Sequence, residues 1–204
     1  DACEEARILP TIHVELNRQK NDKIEFITQD NGPGIPRDAI EDVFGKFLLG
    51  SRFHAIRQTR GQQGIGITGV VMYSQLTTGA KTNVISKIKN ESSAVFVELG
   101  LDTRKNRALK TGEKRDVWID ERNGQDVEQG LRIKTVMKGK YQKGKQSVHQ
   151  YLRMTSIVNP HASISLIVRD MEGNIIDEGA WPRTTERLPR VVSEIKPHPH
   201  GIHL

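Results

Sequence analysis

Near the beginning of the chain, apolar and polar residues alternate along residues 11–16, and residues 24–28 form a short run rich in β-branched and aromatic residues, which also favours a strand. Alternation with a period of two is typical of half-buried β-strands. After Pro36 the apolar positions recur at helical spacing, at Ile40, Val43, Phe44, Phe47 and Leu48. This spacing predicts a helix from Pro36 to about Phe47. The first quarter of the chain is therefore predicted to form two strands, a tight turn and a helix.

The rest of the chain also divides into strand-like and helix-like segments. Further strands are predicted at residues 83–88, 94–101, 117–120, 131–137, 163–169 and 174–177. Helices are predicted at residues 1–9, ended by Pro10, at 70–76 and at 145–157. Several strands in a row favour an α+β fold, in which a mixed, mainly antiparallel sheet carries helices on one face.

Prolines become frequent after residue 181, at Pro182, Pro189, Pro197 and Pro199. They would interrupt any regular element there. We therefore expect residues 1–181 to form one domain and residues 182–204 to link it to a following domain.

Composition narrows the class of protein. The 204 residues, 35% hydrophobic and 27% charged, fit a globular protein that dissolves in water. No apolar run approaches the roughly 18 residues of a membrane span, and no N-terminal segment resembles a signal peptide. The single Cys3 forms no internal disulfide, which agrees with a reducing compartment, so we expect a cytoplasmic protein.

Positive charge exceeds negative charge, with 31 Lys and Arg against 25 Asp and Glu and a net charge of +6. Such an excess permits contact with nucleic acid. The basic residues concentrate in segments 104–115 and 138–145. Because neither segment interleaves aromatic residues, solvated loops are favoured over a surface on which bases stack.

The turn after the second strand is the first candidate site, and it reads Asp30-Asn31-Gly32-Pro33-Gly34-Ile35-Pro36. A plain hairpin turn is one interpretation, because Asn before Gly favours it. A helix, however, is predicted after the turn in place of the second strand that a hairpin needs. We favour a pocket in which the Asp30 carboxylate accepts a hydrogen bond from the exocyclic amine of adenine, a donor that guanine lacks at that position.

A second glycine cluster, residues 61–69, precedes the helix predicted at 70–76. Unpaired backbone N–H groups and the helix dipole make such a helix N-terminus an anion site.

Residues 64–69 also match the dinucleotide-binding pattern G-x-G-x-x-G. That pattern needs an apolar strand before it and an acidic residue about 20 positions after it. The segment before these residues is too polar for a strand, and Lys87 and Lys89 occupy the later positions, so a nicotinamide or flavin dehydrogenase is disfavoured. The P-loop pattern is absent from the sequence.

The remaining candidate chemistry is weaker. His198, His200 and His203 lie close together, but their spacing is not a zinc pattern and no cysteine is near them. No nucleophile signature such as G-x-S-x-G occurs in the sequence.

Taken together, residues 30–36 and 61–69 resemble the second and third nucleotide-binding boxes of the GHKL ATPase superfamily, which includes gyrase, Hsp90, MutL and sensor histidine kinases. Within it, the chain is similar to the B-subunit family of archaeal-type topoisomerase VI. The segments that carry this similarity are residues 1–6, 50–53, 57–61, 73–76, 141–145 and 195–201. The resemblance spans essentially the whole chain and implies the two-layer α/β sandwich of the Bergerat fold.

The resemblance also implies ATP and Mg²⁺ as cofactors. Asp30 would hold the adenine, with Gly34 shaping the pocket beside it, and Ser51 and Arg52 would lie near the nucleotide at the start of a lid. The triphosphate would be wrapped by the backbone of Gly61, Gln62, Gln63, Gly64, Ile65, Gly66, Ile67 and Thr68. Members of the family often have lysine where this chain has Thr68.

The implied function is an ATP-operated gate. Two B subunits would dimerise on binding ATP and, with the DNA-cleaving A subunit, pass one DNA duplex through another. Such a heterotetramer would act in the cytoplasm at the nucleoid, with no membrane partner. The following domain would be the helix-two-turns-helix domain of the family.

The catalytic groups of the superfamily are not found in this chain. The general base is a glutamate, and the magnesium-binding asparagine follows it by four residues on one helix face. Both are expected upstream of Asp1, and Glu4 and Glu5 fall about two turns too far along the helix, so they are interpreted as exposed surface. The 204 residues alone are therefore expected to hydrolyse no ATP above background.

Two alternatives remain open from the sequence. A sensor histidine kinase domain also carries a D-x-G-x-G box, phenylalanines like Phe44 and Phe47, and a glycine-rich lid, although such domains end soon after the helix that follows the lid. The other alternative is a module that binds ATP without turning it over.

Overall fold

The structure is a computed structural model that describes residues 1–45, 65–102 and 107–190. In these residues it contains eight strands and four helices. The strands are β1 (Thr11–Gln19), β2 (Lys23–Asp30), β3 (Thr82–Lys87), β4 (Ala94–Asp102), β5 (Arg107–Asp116), β6 (Gly130–Lys138), β7 (Ser163–Arg169) and β8 (Ile175–Trp181). The helices are α1 (Ala2–Glu5), α2 (Arg37–Gly45), α3 (Gly66–Thr78) and α4 (Val148–Val158).

All eight strands form one sheet in the order β5-β4-β3-β6-β2-β1-β7-β8. The β1–β7 pair is parallel, and the other pairs are antiparallel. The sheet is thus mixed and mainly antiparallel, as the sequence pattern predicted, and with its helices it forms a two-layer α+β sandwich.

The helices lie on one face of the sheet. Residues paired across neighbouring strands share a face, and the register aligns Val14 with Thr28, Thr28 with Ile133, and Ile133 with Val84. Val84 and Ile133 belong to the apolar cluster that α2 and α3 cover, whereas Val14 belongs to the cluster that α4 covers. The two clusters therefore line the same face, side by side.

The basic segment predicted as a loop is a strand, β5, so that prediction was wrong. It pairs with β4 along its whole length and buries Ala108. Its charges are compatible with an edge strand because several are paired: Lys110, for example, lies 3.3 Å from Glu41 and 2.6 Å from Glu113. Residues 117–120, predicted as a strand, form only one isolated bridge, between Ile119 and Asp126.

The predicted bounds of three elements also change. α1 ends before Arg7, because the positive φ of 58° at Arg7 closes the helix. α3 begins at Gly66, earlier than predicted, and β8 extends to Trp181. None of the helices in the described residues is long and apolar enough to cross a bilayer.

Candidate functional site

Asp30 is the last residue of β2 and lies on the helix-bearing face of the sheet. Phe26 and Thr28 lie four and two residues before Asp30 on β2, so their side chains share its face. Asp30 is paired with Leu131 on β6. Its Oδ1 accepts the N–H of Gly32 at 2.8 Å, and the Leu131 backbone also bonds to the carboxyl group. Burial raises the pKa of Asp30, and the two backbone hydrogen bonds oppose that rise.

The turn that follows Asp30 is held on both sides. Ile35 N–H donates to Ser86 Oγ at 2.7 Å, and the same hydroxyl donates to the Ile35 carbonyl at 2.8 Å. From the other side, the Gln129 side-chain amide donates to the carbonyls of Asn31 and Gly32, at 3.2 and 3.3 Å. The turn leads into α2, while β2 pairs with β1 and β6. The plain hairpin interpretation is therefore wrong.

Gly34 is the one residue of the turn with a positive φ, 72°. A β-carbon at this position would lie 2.5 Å from the carbonyl oxygen of Lys87. Only glycine fits such a close approach of two backbones in this conformation. The contact with the end of β3 therefore requires glycine at position 34, and its role in shaping a nucleotide pocket stays a prediction.

The first turn of α3 contains three of the predicted phosphate-binding residues, Gly66, Ile67 and Thr68. The N–H of Gly69 is the first in this helix to bond back, to the Ile65 carbonyl at 2.9 Å. The preceding N–H groups have no intrahelical acceptor. Thr68 is fully buried, so its side chain faces the protein interior.

α3 and Asp30 lie on the same face of the sheet. Leu131 is the residue of β6 that pairs with Asp30, and it packs against the apolar cluster that contains Val71 of α3. The predicted residues that fall elsewhere, Ser51, Arg52, Gly61, Gln62, Gln63 and Gly64, lie outside the described residues.

α1 borders the Asp30 turn. A β-carbon on Gly32 would lie 2.8 Å from Asp30 Oδ1 and 3.2 Å from Cys3 Sγ, so the three groups are in contact. Burial is the main reason that the pKa of the Cys3 thiol rises to about 11. Glu4, predicted to be exposed surface, is instead 18% exposed and lies 2.6 Å from Nε2 of the buried His161.

The sequence analysis missed several residues that hold the turn, above all Ser86 and Gln129. Both are distant from it in sequence and come close only through the pairing of β3 and β6. Asn31 was seen only as a turn residue, yet its side chain accepts from the Thr11 N–H at 2.8 Å and donates to the Leu9 carbonyl at 3.1 Å.

A cavity of about 650 Å³ reaches the opposite face of the sheet, beneath the connection between β5 and β6. Asp30 and Asn31 line one part of this cavity. Gln29, His13, Asp120 and Arg122 line another part, where Gln29 donates to Asp120 at 3.0 Å. Burial lowers the pKa of His13, and the Arg122 guanidinium holds the pKa of Asp120 at about 2. This ion pair lies across the sheet from the face that carries the Asp30 carboxyl.

No group of three or more His, Cys, Asp and Glu side chains within the described ranges could hold a metal ion. The C-terminal histidines His198, His200 and His203 fall outside those ranges.

Comparison with known proteins gives matches to one protein family and to curated relatives. Residues 2–103 match the family of histidine kinase-, DNA gyrase B- and HSP90-like ATPases. The B subunit of type 2 DNA topoisomerase 6 from Archaeoglobus fulgidus is 46% identical over 205 aligned residues, which cover 100% of this chain and 32% of that protein. The protein of the same name from Methanococcoides burtonii is also 46% identical, over 100% of this chain and 31% of its own length.

Among solved structures, the Aquifex aeolicus MutL ATPase domain complexed with ADP has a TM-score of 0.46 and 16% identity, over 85% of this chain and 57% of that one. The chain spans about a third of the length of the curated relatives it matches.

Proposed function

This chain belongs to the B-subunit family of type 2 DNA topoisomerase 6, within the histidine kinase-, DNA gyrase B- and HSP90-like ATPases, and on that premise we propose that it is the ATP-binding and ATP-hydrolysing domain of a type II DNA topoisomerase. Residues 1–181 form this domain in the proposal, and residues 182–204 link it to a following domain.

The Asp30 carboxyl carries the proposal. It lies at the end of a strand, on the face covered by helices, and its two backbone hydrogen bonds fix its orientation. A carboxylate has about four acceptor positions, so it can still accept the exocyclic amine of adenine. The turn that carries it is held by Ser86 and Gln129, so the acceptor is preorganised for the base.

The triphosphate is assigned to the backbone of residues 61–68. Support comes from α3, because its first turn presents N–H groups without intrahelical acceptors and its dipole is positive at that end. A β-carbon on Gly66 would meet no described atom within 4 Å. Ser51 and Arg52 are assigned to the lid by resemblance.

ATP hydrolysis by the family uses Mg²⁺, but the described residues do not fit a magnesium site by themselves. We therefore assign Mg²⁺ to no residue of this chain. The role of these residues in the proposal is to bind and orient the nucleotide.

For the whole protein we propose the gate of the family. Two B subunits would dimerise on binding ATP and, with the A subunit, admit one DNA duplex through a break in another. Duplex DNA as the substrate places the complex in the cytoplasm at the nucleoid. A histidine kinase is disfavoured because the topoisomerase relatives align with the entire chain, including β6, α4, β7 and β8.

The test is Asp30→Asn in the full-length protein, with ATP and GTP affinities measured by calorimetry. Loss of a hydrogen bond to a charged group costs about 1.5–3 kcal/mol, so ATP should bind roughly 10- to 100-fold more weakly and the preference over GTP should shrink. Asp38→Asn is the matched control, because the Asp38 side chain is 95% exposed. An Asp30→Asn protein that binds ATP as tightly as the parent would contradict the proposal.

A further inference from the structure

Residues 182–190, which we call the strap, follow β8 and run along the connection between α1 and β1. Arg183 makes four hydrogen bonds to residues outside the strap. Its backbone N–H and its Nε each donate to Ser163 Oγ at 3.1 Å. Its Nη2 donates to the Pro10 carbonyl at 3.2 Å and to Thr11 Oγ1 at 2.7 Å.

The same connection is held from its other side by the Asp30 turn. The Asn31 side chain bonds to the Leu9 carbonyl and the Thr11 N–H, as described above. Residues 9–11 therefore lie between the Arg183 guanidinium and the residue next to Asp30. If the strap shifts and residues 9–11 follow it, their hydrogen bonds to Asn31 break. If residues 9–11 stay in place, their hydrogen bonds to Arg183 break.

α1 and the residues that follow it are also linked to the strap. Arg7, two residues after α1, donates from Nη1 to the Pro189 carbonyl at 2.9 Å. Glu4 bonds to His161, and the neighbouring Pro160 carbonyl accepts the backbone N–H of Thr184 at 2.8 Å. The helix that touches the Asp30 turn through Cys3 is thus linked to the strap through the turn before β7, and Arg7, just after the helix, bonds to the strap directly.

We propose that strap docking and nucleotide binding are coupled, with Arg183 as the positioning residue that holds residues 9–11 and α1 against the purine pocket. The inference rests on the proposed function, since it assumes that Asp30 binds the base. Because coupling between sites is reciprocal, a docked strap raises nucleotide affinity, and bound nucleotide in turn tightens the strap. The strap would report nucleotide occupancy to the polypeptide that follows it.

The experiment compares Arg183→Ala with Arg187→Ala in the full-length protein, using fluorescent mant-ADP as the probe. Arg187 is the matched control, because it lies on the same strap and its side chain bonds to no described residue. Coupling between two sites is typically fivefold or more, so Arg183→Ala should weaken ADP binding by about five- to tenfold, and Arg187→Ala by less than twofold. Hydrogen exchange gives the reciprocal measurement: ADP should slow exchange of the strap amides in the parent, and less so in Arg183→Ala.

A purely structural role would lower the melting temperature of Arg183→Ala and leave its ADP affinity within twofold of the parent, which would overturn the inference.

If Arg183→Ala does not fold, Arg7→Gln is the variant that tests the inference. Arg7 is exposed, and among the described residues its contact with the strap is made by its guanidinium. It should bind ADP at least twofold more weakly, and unchanged affinity would overturn the inference. A parent protein that binds no ADP would overturn the proposed function and this inference with it, whereas ADP binding that is insensitive to both variants overturns the inference alone.

Discussion

Gly34 and Lys87 bring the Asp30 turn and the end of β3 into backbone contact, with no room for a β-carbon between them. The contact joins two segments that are more than 50 residues apart in sequence, and it holds the turn that follows Asp30. The hydroxyl of Ser86 holds the next residue, Ile35, in the same place.

Gly34→Ala should therefore destabilise the domain and weaken ATP binding. The new β-carbon would lie 2.5 Å from the Lys87 carbonyl, and alanine at positive φ costs about 1 kcal/mol more than glycine before any clash is counted. We expect a total loss of more than about 2 kcal/mol in chemical denaturation. Gly69→Ala is the control: its β-carbon meets no described atom within 4 Å of its site in α3, so it should be neutral or stabilising by up to about 1 kcal/mol. Equal stability of the two variants would contradict this account of Gly34.

Ser86→Ala tests the other half of this contact. Without the Ser86 hydroxyl, the N–H and the carbonyl of Ile35 lose their hydrogen-bond partner. This loss occurs in the interior, because Ser86 is only 1% exposed. An unsatisfied buried polar group costs about 1–3 kcal/mol, and we expect that loss together with weaker ATP binding. Ser156→Ala, on the outer part of α4, should change stability by less than about 0.5 kcal/mol. If Ser86→Ala retained full stability and ATP affinity, the turn would not depend on β3.

The sequence was sufficient to predict the elements around Asp30, because each is encoded by local spacing. β1, β2 and α2 lie within a residue or two of their predicted beginnings, and the turn residues are those that positive φ and chain reversal require. The same local patterns predicted a mixed sheet with helices on one face.

What could not be predicted depends on pairing between distant segments. β5 has a polar sequence without alternation, and it is a strand because β4 supplies its hydrogen bonds. Ser86 and Gln129 have no local signal that would place them at the turn. The early start of α3 also has a tertiary cause: the penalty of Gly66 in a helix is offset by burial of Thr68 and Val71.

Thr68→Lys tests the last of the predicted phosphate-binding residues. Thr68 is fully buried at the beginning of α3, so a lysine there would place an unpaired charge in the interior. We expect a loss of more than about 3 kcal/mol in denaturation experiments. Leu76→Lys, at a 69% exposed position of the same helix, should stay within about 0.5 kcal/mol of the parent. A stable Thr68→Lys protein with tighter ATP binding would instead show that this side chain can reach the phosphates.

The Asp120–Arg122 pair predicts how stability depends on pH at the acid end. Arg122 Nε donates to Asp120 Oδ1 at 2.9 Å and, with Gln29, lowers the pKa of Asp120 from 3.8 to about 2. Because the folded state holds this carboxyl ionised more strongly than the unfolded state does, the contribution to stability is complete above about pH 4 and is lost as the pH falls toward 2. The contribution is at most about 2 kcal/mol.

Asp120→Asn should remove this dependence. Denaturation midpoints measured from pH 5 to pH 2 should fall less steeply for the variant than for the parent. Arg122→Ala should flatten the same part of the curve, because it removes the guanidinium that lowers the pKa of Asp120. Parallel curves for the parent and both variants would mean that this ion pair does not contribute to acid stability.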